Sequence, residues 1–290
     1  MSLNIAACVI LYNPKIEDLQ NIMSYLSKVN KLYVYDNSAT KLESSFRNEN
    51  EKINYFWDGE NQGISIRLNE ASRLAISEGY DKLLTMDQDS SFLEENIDKY
   101  FIDIENFNDA ENVANFGLEY NKEAIPCDSN EIIFEEVEHL ITSCSVINLN
   151  LFEKIGGFDE NLFIDGVDID YCYAAMKNGY KNIQFKNNFF KHSLGEPVRR
   201  TSIVSLYLIK KNRVIHSPLR AYYMYRNTLY LEKKYSSVFP EMTKKLVKDY
   251  IHHIKRCVRY SENIVTAYKY IFKAYGDFKN NRMGKINKIY

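Results

Sequence analysis

The sequence predicts an α/β fold in which a mostly parallel, doubly wound central sheet carries helices on both faces. Residues 5–87 alternate between strand-like and helix-like segments, and their strand-like segments are almost wholly apolar. Apolar strands are expected where both faces of a parallel sheet are buried. Polar residues follow three of these strands, and ligands of such sheets bind beyond the carboxyl ends of the strands.

Four strands and two long helices are predicted in this first region. Ile5–Leu11 is a continuous apolar run, and Pro14 fits the first turn of a helix whose apolar positions recur every three or four residues up to Val29. The remaining strands are predicted at residues 32–35, 53–56 and 82–86, and the second helix at residues 64–75.

The pattern beyond residue 90 is less regular. We predict helices at residues 94–104 and 149–155 and from residue 171, and strands at residues 113–116, 135–140, 143–147 and 181–185. His192 then falls in a loop that follows the last of these strands. No internal repeat or low-complexity linker is visible.

The composition is that of a cytoplasmic globular protein. Of the 290 residues, 45% are hydrophobic and 26% are charged, which is enough apolar surface for a full core. No run of 18 apolar residues predicts a membrane-spanning helix, and the first residues lack the pattern of a signal peptide. The five cysteines are scattered without a C-x-x-C pair, so we expect neither a disulfide framework nor a zinc site.

The charge is distributed unevenly along the chain. The net charge is −2, yet residues 231–290 hold 14 Lys and Arg against five Asp and Glu. We therefore predict an α/β domain at residues 1–230 and a basic, tyrosine-rich helical extension at residues 231–290. An apolar stripe from Val247 to Val258, flanked by lysines, has two interpretations: a helix lying on an anionic membrane, or a helix packed against the α/β domain.

The polar residues at the strand ends predict a cleft large enough for a nucleotide. They are Tyr12 and Asn13, then Asp36, Asn37 and Ser38, then Asp87 and Asp89. Neither G-x-G-x-x-G nor G-x-x-x-x-G-K-[ST] is present, so a metal held by carboxylates is the expected partner of the phosphates. The alternative is that Asp87 and Asp89 cap the helix that follows them.

A second acidic segment, Gly157–Asp170, holds five acids in 14 residues. Asp168 and Asp170 would lie in the first turn of a helix, where the helix dipole stabilises carboxylates that can act as bases. Helix capping explains one of these acids but not the group. His192 is a candidate ligand for the suspected metal, although a lone histidine is more often structural.

Several motifs in residues 4–230 follow the order found in one known family. They are Val9-Ile-Leu-Tyr-Asn13, Val34-Tyr-Asp-Asn-Ser38, Asn61-Gln-Gly-Ile64 with Asn69, Asp87-Gln-Asp89, Gly156-Gly-Phe-Asp159, Asp168-Ile-Asp-Tyr-Cys172 with Gly179-Tyr180, Phe190-Lys-His192 and Arg226-Asn227. In combination they resemble the motifs of inverting, family 2 glycosyltransferases of GT-A fold, within the bacterial rhamnosyltransferase-like branch. No single motif would carry this resemblance.

The resemblance implies transfer of a sugar from a nucleoside diphosphate to a hydroxyl of a growing glycan. It makes Asp168 the catalytic base, with Asp165 as the alternative, because Val167 replaces the glutamate usual in the family. It also implies donor contacts at Tyr12, Asn13, Asp36, Asn37, Gly63, Asn69 and Asp87, metal ligands at Asp89, His192 and Asp87, and acceptor or phosphate contacts at Asp165, Asp170 and Arg226.

The resemblance further implies Mg²⁺ or Mn²⁺, dTDP-rhamnose as the donor, and a lipid-linked acceptor in the synthesis of capsule, O-antigen or cell-wall polysaccharide. A UDP-linked galactose, galactofuranose, glucose or N-acetylhexosamine is the alternative donor. The enzyme would be cytoplasmic and peripheral at the inner face of the cell membrane. It would be a candidate homodimer and would have no nucleic-acid partner. Rival interpretations are a non-catalytic nucleotide-binding protein and a nucleotidyltransferase, but the basic glycine-rich loop usual in the latter is not visible.

Overall fold

The computed structural model describes residues 3–42, 50–127, 131–192, 198–200 and 211–286. Its contacts divide the chain into two units. Unit 1 comprises Met1–Asp159 and Val167–Ser193, and unit 2 comprises Glu160–Gly166 and Leu194–Tyr290. The domain boundary predicted at residue 230 falls within a helix of unit 2 and stays a prediction.

Nine strands of unit 1 form one sheet among the described residues. They are β1 (Ile5–Leu11), β2 (Lys31–Asp36), β3 (Ile53–Trp57), β4 (Lys82–Asp87), β5 (Ser90–Ser91), β6 (Val113–Asn121), β7 (Phe134–Glu136), β8 (Ser145–Asn148) and β9 (Lys181–His192). Their order is β3-β2-β1-β4-β8-β6-β9-β5, and β7 also pairs with β9. The first four strands are parallel, whereas β8 runs antiparallel to both of its neighbours. The predicted α/β class is confirmed, with a sheet that becomes mixed in its second half.

Five helices cover this sheet. They are α1 (Ile16–Leu26), α2 (Ile64–Ser77), α3 (Glu94–Glu105), α4 (Leu149–Ile155) and α5 (Val167–Lys177). Helix α1 packs against α3, whereas α4 packs against α2 and α5. Residues 5–9 of β1 are at most 1% exposed. Both faces of this strand are therefore covered, which explains why its sequence shows no alternation of apolar and polar residues.

Strand β9 is longer than the sequence predicts. The prediction ended this strand at Phe185 and placed His192 in a loop, but Leu118 of β6 pairs with Phe185 and the next residue of β6 pairs with Phe189. The polar residues 186–188 lie outside this register, and the strand resumes after them. The placement of His192 in a loop was wrong, because the sheet holds this histidine as the last residue of β9.

Unit 2 is built from helices and one small sheet. Its elements are β10 (Val198–Arg200), β11 (Lys211–Arg213), α6 (Pro218–Tyr235), α7 (Pro240–Arg259) and α8 (Ile264–Lys279). Helix α6 packs against both α7 and α8. Ile254 and Val258 of α7 form one apolar cluster with Met224 and Ala267, so the apolar stripe predicted in this helix is packed inside unit 2. Among the described residues no helix has the length and hydropathy needed to cross a bilayer.

Candidate metal and nucleotide site

The structure brings Asp87, Asp89 and His192 together at one end of the sheet. Each residue offers a ligand atom, and these atoms lie within 4.8 Å of one another. Asp87 ends β4, and the pairing of Ser90 with His192 fixes β9 beside the two acids. Two carboxylates and an imidazole suit Mn²⁺, which accepts both oxygen and nitrogen ligands, and Mg²⁺ through the oxygens. The three predicted ligands thus lie close enough to share one ion, and their role as ligands stays a prediction.

The charge around His192 favours a cation. Its Nδ1 lies 3.4 Å from Oδ1 of Asp89. Burial would lower the pKa of His192, but the hydrogen bond and charge of Asp89, with the charge of Asp87, outweigh burial and raise the pKa above 6.5. The same carboxylates would attract a divalent ion.

Two serines connect the histidine to the backbone of β4. The Ser90 hydroxyl lies 2.7 Å from Nδ1 of His192. The Ser143 hydroxyl donates to Oγ of Ser90, also at 2.7 Å. Ser143 Oγ in turn accepts the backbone N–H of Asp87 at 3.2 Å. This chain of hydrogen bonds restrains the imidazole, as is usual for histidines that bind metals. Ser90 adjoins the D-x-D sequence, but no sequence signal pointed to Ser143.

Gln88, between the two acids, connects this cluster to the loop after β1. Its Oε1 accepts the N–H of Tyr12 at 2.8 Å, and its backbone carbonyl accepts from Nδ2 of Asn21 at 3.0 Å. The Tyr12 side chain is 55% exposed, so its ring is open to a ligand. The sequence gives no signal for Gln88, because the D-x-D pattern leaves the residue between the two acids unspecified.

Asp36 shapes the turn after β2. The residue is fully buried, and its carboxylate accepts the Tyr55 hydroxyl at 2.5 Å and the N–H of Ser38 at 2.9 Å. Ser38 Oγ accepts the N–H of Asn13 at 2.7 Å, which joins this turn to the loop after β1. Asn13 has a φ of 48°, in the left-handed region that asparagine tolerates. The contact predicted between Asp36 and a nucleotide base stays a prediction.

Asn37 and Gly63 hold the start of α2 beside the end of β2. Nδ2 of Asn37 donates to the carbonyl of Gly63 at 3.0 Å, and Nε of Arg67 donates to Oδ1 of Asn37 at 2.9 Å. Gly63 has a φ of 83°, which glycine adopts without strain. Asn37 is only 3% exposed, so in this structure its amide holds a helix in place.

Asn69 has a similar role at the Gly156-Gly-Phe-Asp159 motif. Its side-chain amide donates to the carbonyl of Phe158 and accepts the N–H of the same residue, both at 2.9 Å. Gly157 has a φ of 69°, and a Cβ there would lie 3.0 Å from both Asn69 Oδ1 and the Phe152 ring. The turn therefore requires glycine, and α2 fixes it.

Asp168 and Asp170 lie in the first turn of α5, as predicted. Asp170 is 1% exposed, whereas Asp168 is half-buried. The Asp168 carboxylate accepts the N–H of Ile169 at 2.9 Å. The dipole of α5 stabilises negative charge at both positions, but only Asp168 is open to solvent.

Asp165 belongs to unit 2, where Arg220 pairs with it. The guanidinium of Arg220 donates to the carboxylate over 3.1–3.3 Å, and Nδ2 of Asn227 donates to the carbonyls of Ile164 and Asp165 at 2.8 and 2.9 Å. Burial raises the pKa of Asp165, and Arg220 offsets only part of that rise. The backbone at Asp165 is left-handed, with a φ of 64°, and Asn227 stabilises it.

Arg226 is buried inside unit 2, at 1% exposure. Its guanidinium donates to the Tyr222 hydroxyl at 2.9 Å, to the Gly284 carbonyl at 2.7 Å and to Oδ1 of Asn227 at 3.3 Å. Hydrogen bonds within the protein thus occupy most of its donors. The predicted contact with phosphate or acceptor stays a prediction that none of these contacts supports.

Two curated proteins resemble the chain along most of its length, although no protein-family profile matches it. The chain is 28% identical over 252 residues to "dTDP-rhamnosyl transferase RfbF" of Shigella flexneri, which covers 81% of each protein. It is 25% identical over 237 residues to "Low-salt glycan biosynthesis hexosyltransferase Agl10" of Haloferax volcanii, covering 72% of this chain and 74% of the relative.

Solved glycosyltransferase structures share the fold. Residues 1–349 of Staphylococcus aureus TarS in complex with UDP-GlcNAc match with a TM-score of 0.59 at 14% identity, over 95% of this chain and 80% of that one. GalNAc-T7 with UDP, GalNAc and Mn²⁺ matches with a TM-score of 0.54 at 11% identity, over 66% of this chain and 44% of that one. The predicted GT-A fold is confirmed, and the two curated relatives confirm the resemblance to rhamnosyltransferase-like enzymes.

Proposed function

We propose that this chain, a glycosyltransferase of GT-A fold that uses a nucleotide sugar, is a metal-dependent, inverting enzyme of family 2. The sugar is rhamnose from dTDP-rhamnose, and the acceptor is a hydroxyl of a lipid-linked glycan. The observation that carries the proposal is the convergence of Asp87, Asp89 and His192 within 4.8 Å, next to the carboxyl end of strand β4.

Asp89 and His192 would hold Mg²⁺ or Mn²⁺, with Asp87 shared between the ion and the ribose. When bound, the ion neutralises the negative charge that develops on the diphosphate leaving group. Ser90 keeps the imidazole of His192 oriented toward the acids, at 2.7 Å from Nδ1. The GalNAc-T7 structure, which shares the fold, contains Mn²⁺, and this supports a divalent ion in this chain.

Tyr12 and Asp36 would bind the base of the donor. The exposed Tyr12 ring can stack on a pyrimidine. The Asp36 carboxylate is fully buried, so it would accept the N–H of the base only if the turn after β2 opens when the donor binds. Because Gln88 hydrogen bonds to Tyr12, the base-binding loop adjoins the metal cluster. Asn13 lies on the same loop.

Asp168 would act as the general base. It would take the proton of the acceptor hydroxyl while the hydroxyl oxygen attacks the anomeric carbon. The attack comes from the face opposite the departing diphosphate, so the configuration inverts. A base of this kind contributes roughly 10²–10⁴-fold to the rate. We prefer Asp168 to Asp165, because the carboxylate of Asp165 is engaged by Arg220, and to the buried Asp170.

The donor is proposed from the more similar of the relatives described. The Shigella protein is named as a dTDP-rhamnosyl transferase, and its match spans 81% of this chain at 28% identity. The TarS structure contains UDP-GlcNAc, which makes a UDP-sugar the second candidate, but its identity to this chain is 14%. A lipid-linked acceptor is supported by the basic region 231–290, which would meet anionic lipid at the membrane.

A donor screen tests this function. Purified protein is incubated with dTDP-rhamnose and with UDP- and GDP-sugars, in Mn²⁺ or in EDTA, and the release of nucleoside diphosphate is measured. We expect dTDP release from dTDP-rhamnose that EDTA abolishes and added Mn²⁺ restores. Faster turnover of a UDP-sugar would select the second donor. Turnover that is unchanged in EDTA would remove the metal from the proposal, and no turnover of any donor would contradict catalysis.

A further inference from the structure

Helix α8 presents a row of large apolar side chains to the outside of unit 2. The row consists of Val265, Tyr268, Phe272 and Tyr275, which are 62%, 51%, 73% and 47% exposed. These residues recur at intervals of three or four, so they lie on one face of the helix, and we call them the α8 stripe. Ala267 and Ala274 face the interior instead, where both are buried. Helix α8 therefore has apolar side chains on its outer face, where polar ones are usual.

Exposed cations lie on α8 and on the neighbouring helix α7. Lys269 and Lys279 are exposed on α8 itself, and the Lys279 ammonium lies 5.5 Å from the centre of the Tyr275 ring. Helix α7 exposes Lys244, Lys245, Lys248, Lys255 and Arg259. Within the described part of the chain, neither Lys255 nor Arg259 forms an ion pair. The charges of Lys255 and Arg259 are therefore available to an anionic partner.

An apolar groove of about 530 Å³ continues the stripe toward the interior of unit 2. It lies between α7 and α8, and its apolar lining includes Ile251, Ile254, Val258, Ile264, Tyr268 and Ile271. Lys255 and Arg259 also line it. An apolar groove whose lining includes two exposed cations matches an amphiphile with a hydrocarbon part and an anionic head.

We propose that this face of unit 2, made by the α8 stripe, the groove and the groove's two cations Lys255 and Arg259, docks onto an anionic phospholipid surface. Tyrosine and phenylalanine favour the boundary between lipid headgroups and acyl chains. Lysine and arginine near an anionic leaflet bind its phosphates. The docking surface deepens the proposed function and rests on it for the lipid-linked acceptor, which would place the substrate in that same surface.

The charge of this region favours lipid over a second copy of the chain. Residues 231–290 hold 14 basic against five acidic residues, so a second copy would repel this region whereas an anionic bilayer would attract it.

Vesicle sedimentation of the full-length protein tests the docking surface. We expect binding to vesicles of phosphatidylcholine mixed with phosphatidylglycerol, weak binding to phosphatidylcholine alone, and loss of binding in ~1 M salt, where screening is nearly complete. Phe272→Ser should lower the affinity for the anionic vesicles roughly tenfold. Replacing Lys255 or Arg259 by serine should lower it about fivefold for each cation.

Ile102→Ser is the matched control. Ile102 is 54% exposed on α3 of unit 1, with no part in the α8 stripe, and this variant should bind vesicles as the wild type does. Equal affinity of Phe272→Ser and wild type for the anionic vesicles would overturn the proposal. A dimer that Phe272→Ser dissociates in sedimentation equilibrium, without any vesicle binding, would also overturn it and assign the stripe to a second copy.

The same preparations separate this inference from the proposed function. Vesicle binding needs no donor, and nucleotide release from the donor needs no vesicle. A protein that binds vesicles but turns over no nucleotide sugar would retain the docking surface and contradict the proposed reaction. A protein that turns over its donor but binds no anionic vesicle would overturn the docking surface alone.

Discussion

Unit 1 and unit 2 each gather charged side chains into a cluster, but the balance of charge differs between the two clusters. In unit 1, two carboxylates and one histidine converge within 4.8 Å. In unit 2, three groups donate to the buried Asp277 carboxylate: Tyr222 at 2.8 Å, Lys273 at 3.0 Å and Arg282 at 2.8 Å. The first cluster holds two carboxylates against one histidine and so favours a cation, whereas three donors already neutralise the second.

The charge balance of a cluster therefore helps to distinguish residues that bind a ligand from residues that stabilise the fold. Arg226 and Asn227 match the family's motif as closely as the D-x-D sequence does, yet their side chains hydrogen bond within unit 2. Charged side chains are common to both clusters. What singles out the cluster in unit 1 is an excess of negative charge in residues that solvent can reach.

The strongest test of unit 1 as the catalytic part is Asp168→Asn. Removing a general base should lower the rate of sugar transfer roughly 10²–10⁴-fold, because the hydroxyl of the acceptor then keeps its proton. The affinity for the nucleotide sugar, measured by calorimetry, should stay unchanged. Transfer at nearly the wild-type rate would show that Asp168 is not the base, and Asp165→Asn would then be the variant to measure.

Arg226→Met tests unit 2 as structural support. The substitution leaves the Gly284 carbonyl and the Tyr222 hydroxyl without their donor, which should destabilise unit 2 by about 3 kcal/mol. A lower Tm in thermal unfolding would measure this loss. Donor affinity at low temperature should match that of the wild type. Unchanged stability together with a weaker affinity for phosphate would instead support the predicted contact between Arg226 and phosphate.

Asp89→Ala probes the excess of negative charge in unit 1. Loss of this ligand should weaken Mn²⁺-dependent binding of nucleoside diphosphate roughly tenfold to a hundredfold in calorimetry. Asp98→Ala is the control, since Asp98 is a half-exposed acid of unit 1 that pairs with Lys28. Equal Mn²⁺-dependent affinity in the Asp89 and Asp98 variants would remove Asp89 from the metal site.

The smallest effect concerns pH and the neutralised cluster of unit 2. Burial would raise the pKa of Asp277, but the hydrogen bonds from Tyr222, Lys273 and Arg282 outweigh it and hold the pKa below 3.8. A carboxylate with a depressed pKa contributes stability above its ordinary pKa and loses it as the pH falls through the depressed value. The Tm of the wild type should therefore fall below pH 3.8 more steeply than that of Asp277→Asn. Parallel Tm curves would contradict this.

Much of the first half of unit 1 could be predicted from the sequence, because its strands and helices have strong apolar patterns. Ile5–Leu11 is the strand that the apolar run predicted, and the convergence of Asp87 and Asp89 with His192 followed from a known order of motifs. The partners Ser143 and Tyr55 could not be predicted, since they approach the site across the sheet from segments without a motif.

Two features later in the chain could not be predicted from the sequence, for other reasons. The polar residues 186–188 interrupt β9 as a loop would, and only the pairing with β6 shows that the strand continues. The aromatic residues of α8 look like core residues in the sequence, because spacing alone does not reveal which face of a helix the fold covers. Their exposure, up to 73% at Phe272, depends on how α8 packs in the fold, which the sequence does not show.

The late position of His192 in the chain has a consequence for synthesis. Ser90 and His192 are neighbours in the sheet although 102 residues separate them. On the ribosome, β1 to β4 can pair as soon as they emerge, but the imidazole reaches the two acids only after β9 has been made and has docked on β6 and β5. A nascent chain that stops before residue 181 thus carries the carboxylates without the histidine and exposes an edge of β6, where chaperones would find an unpaired strand.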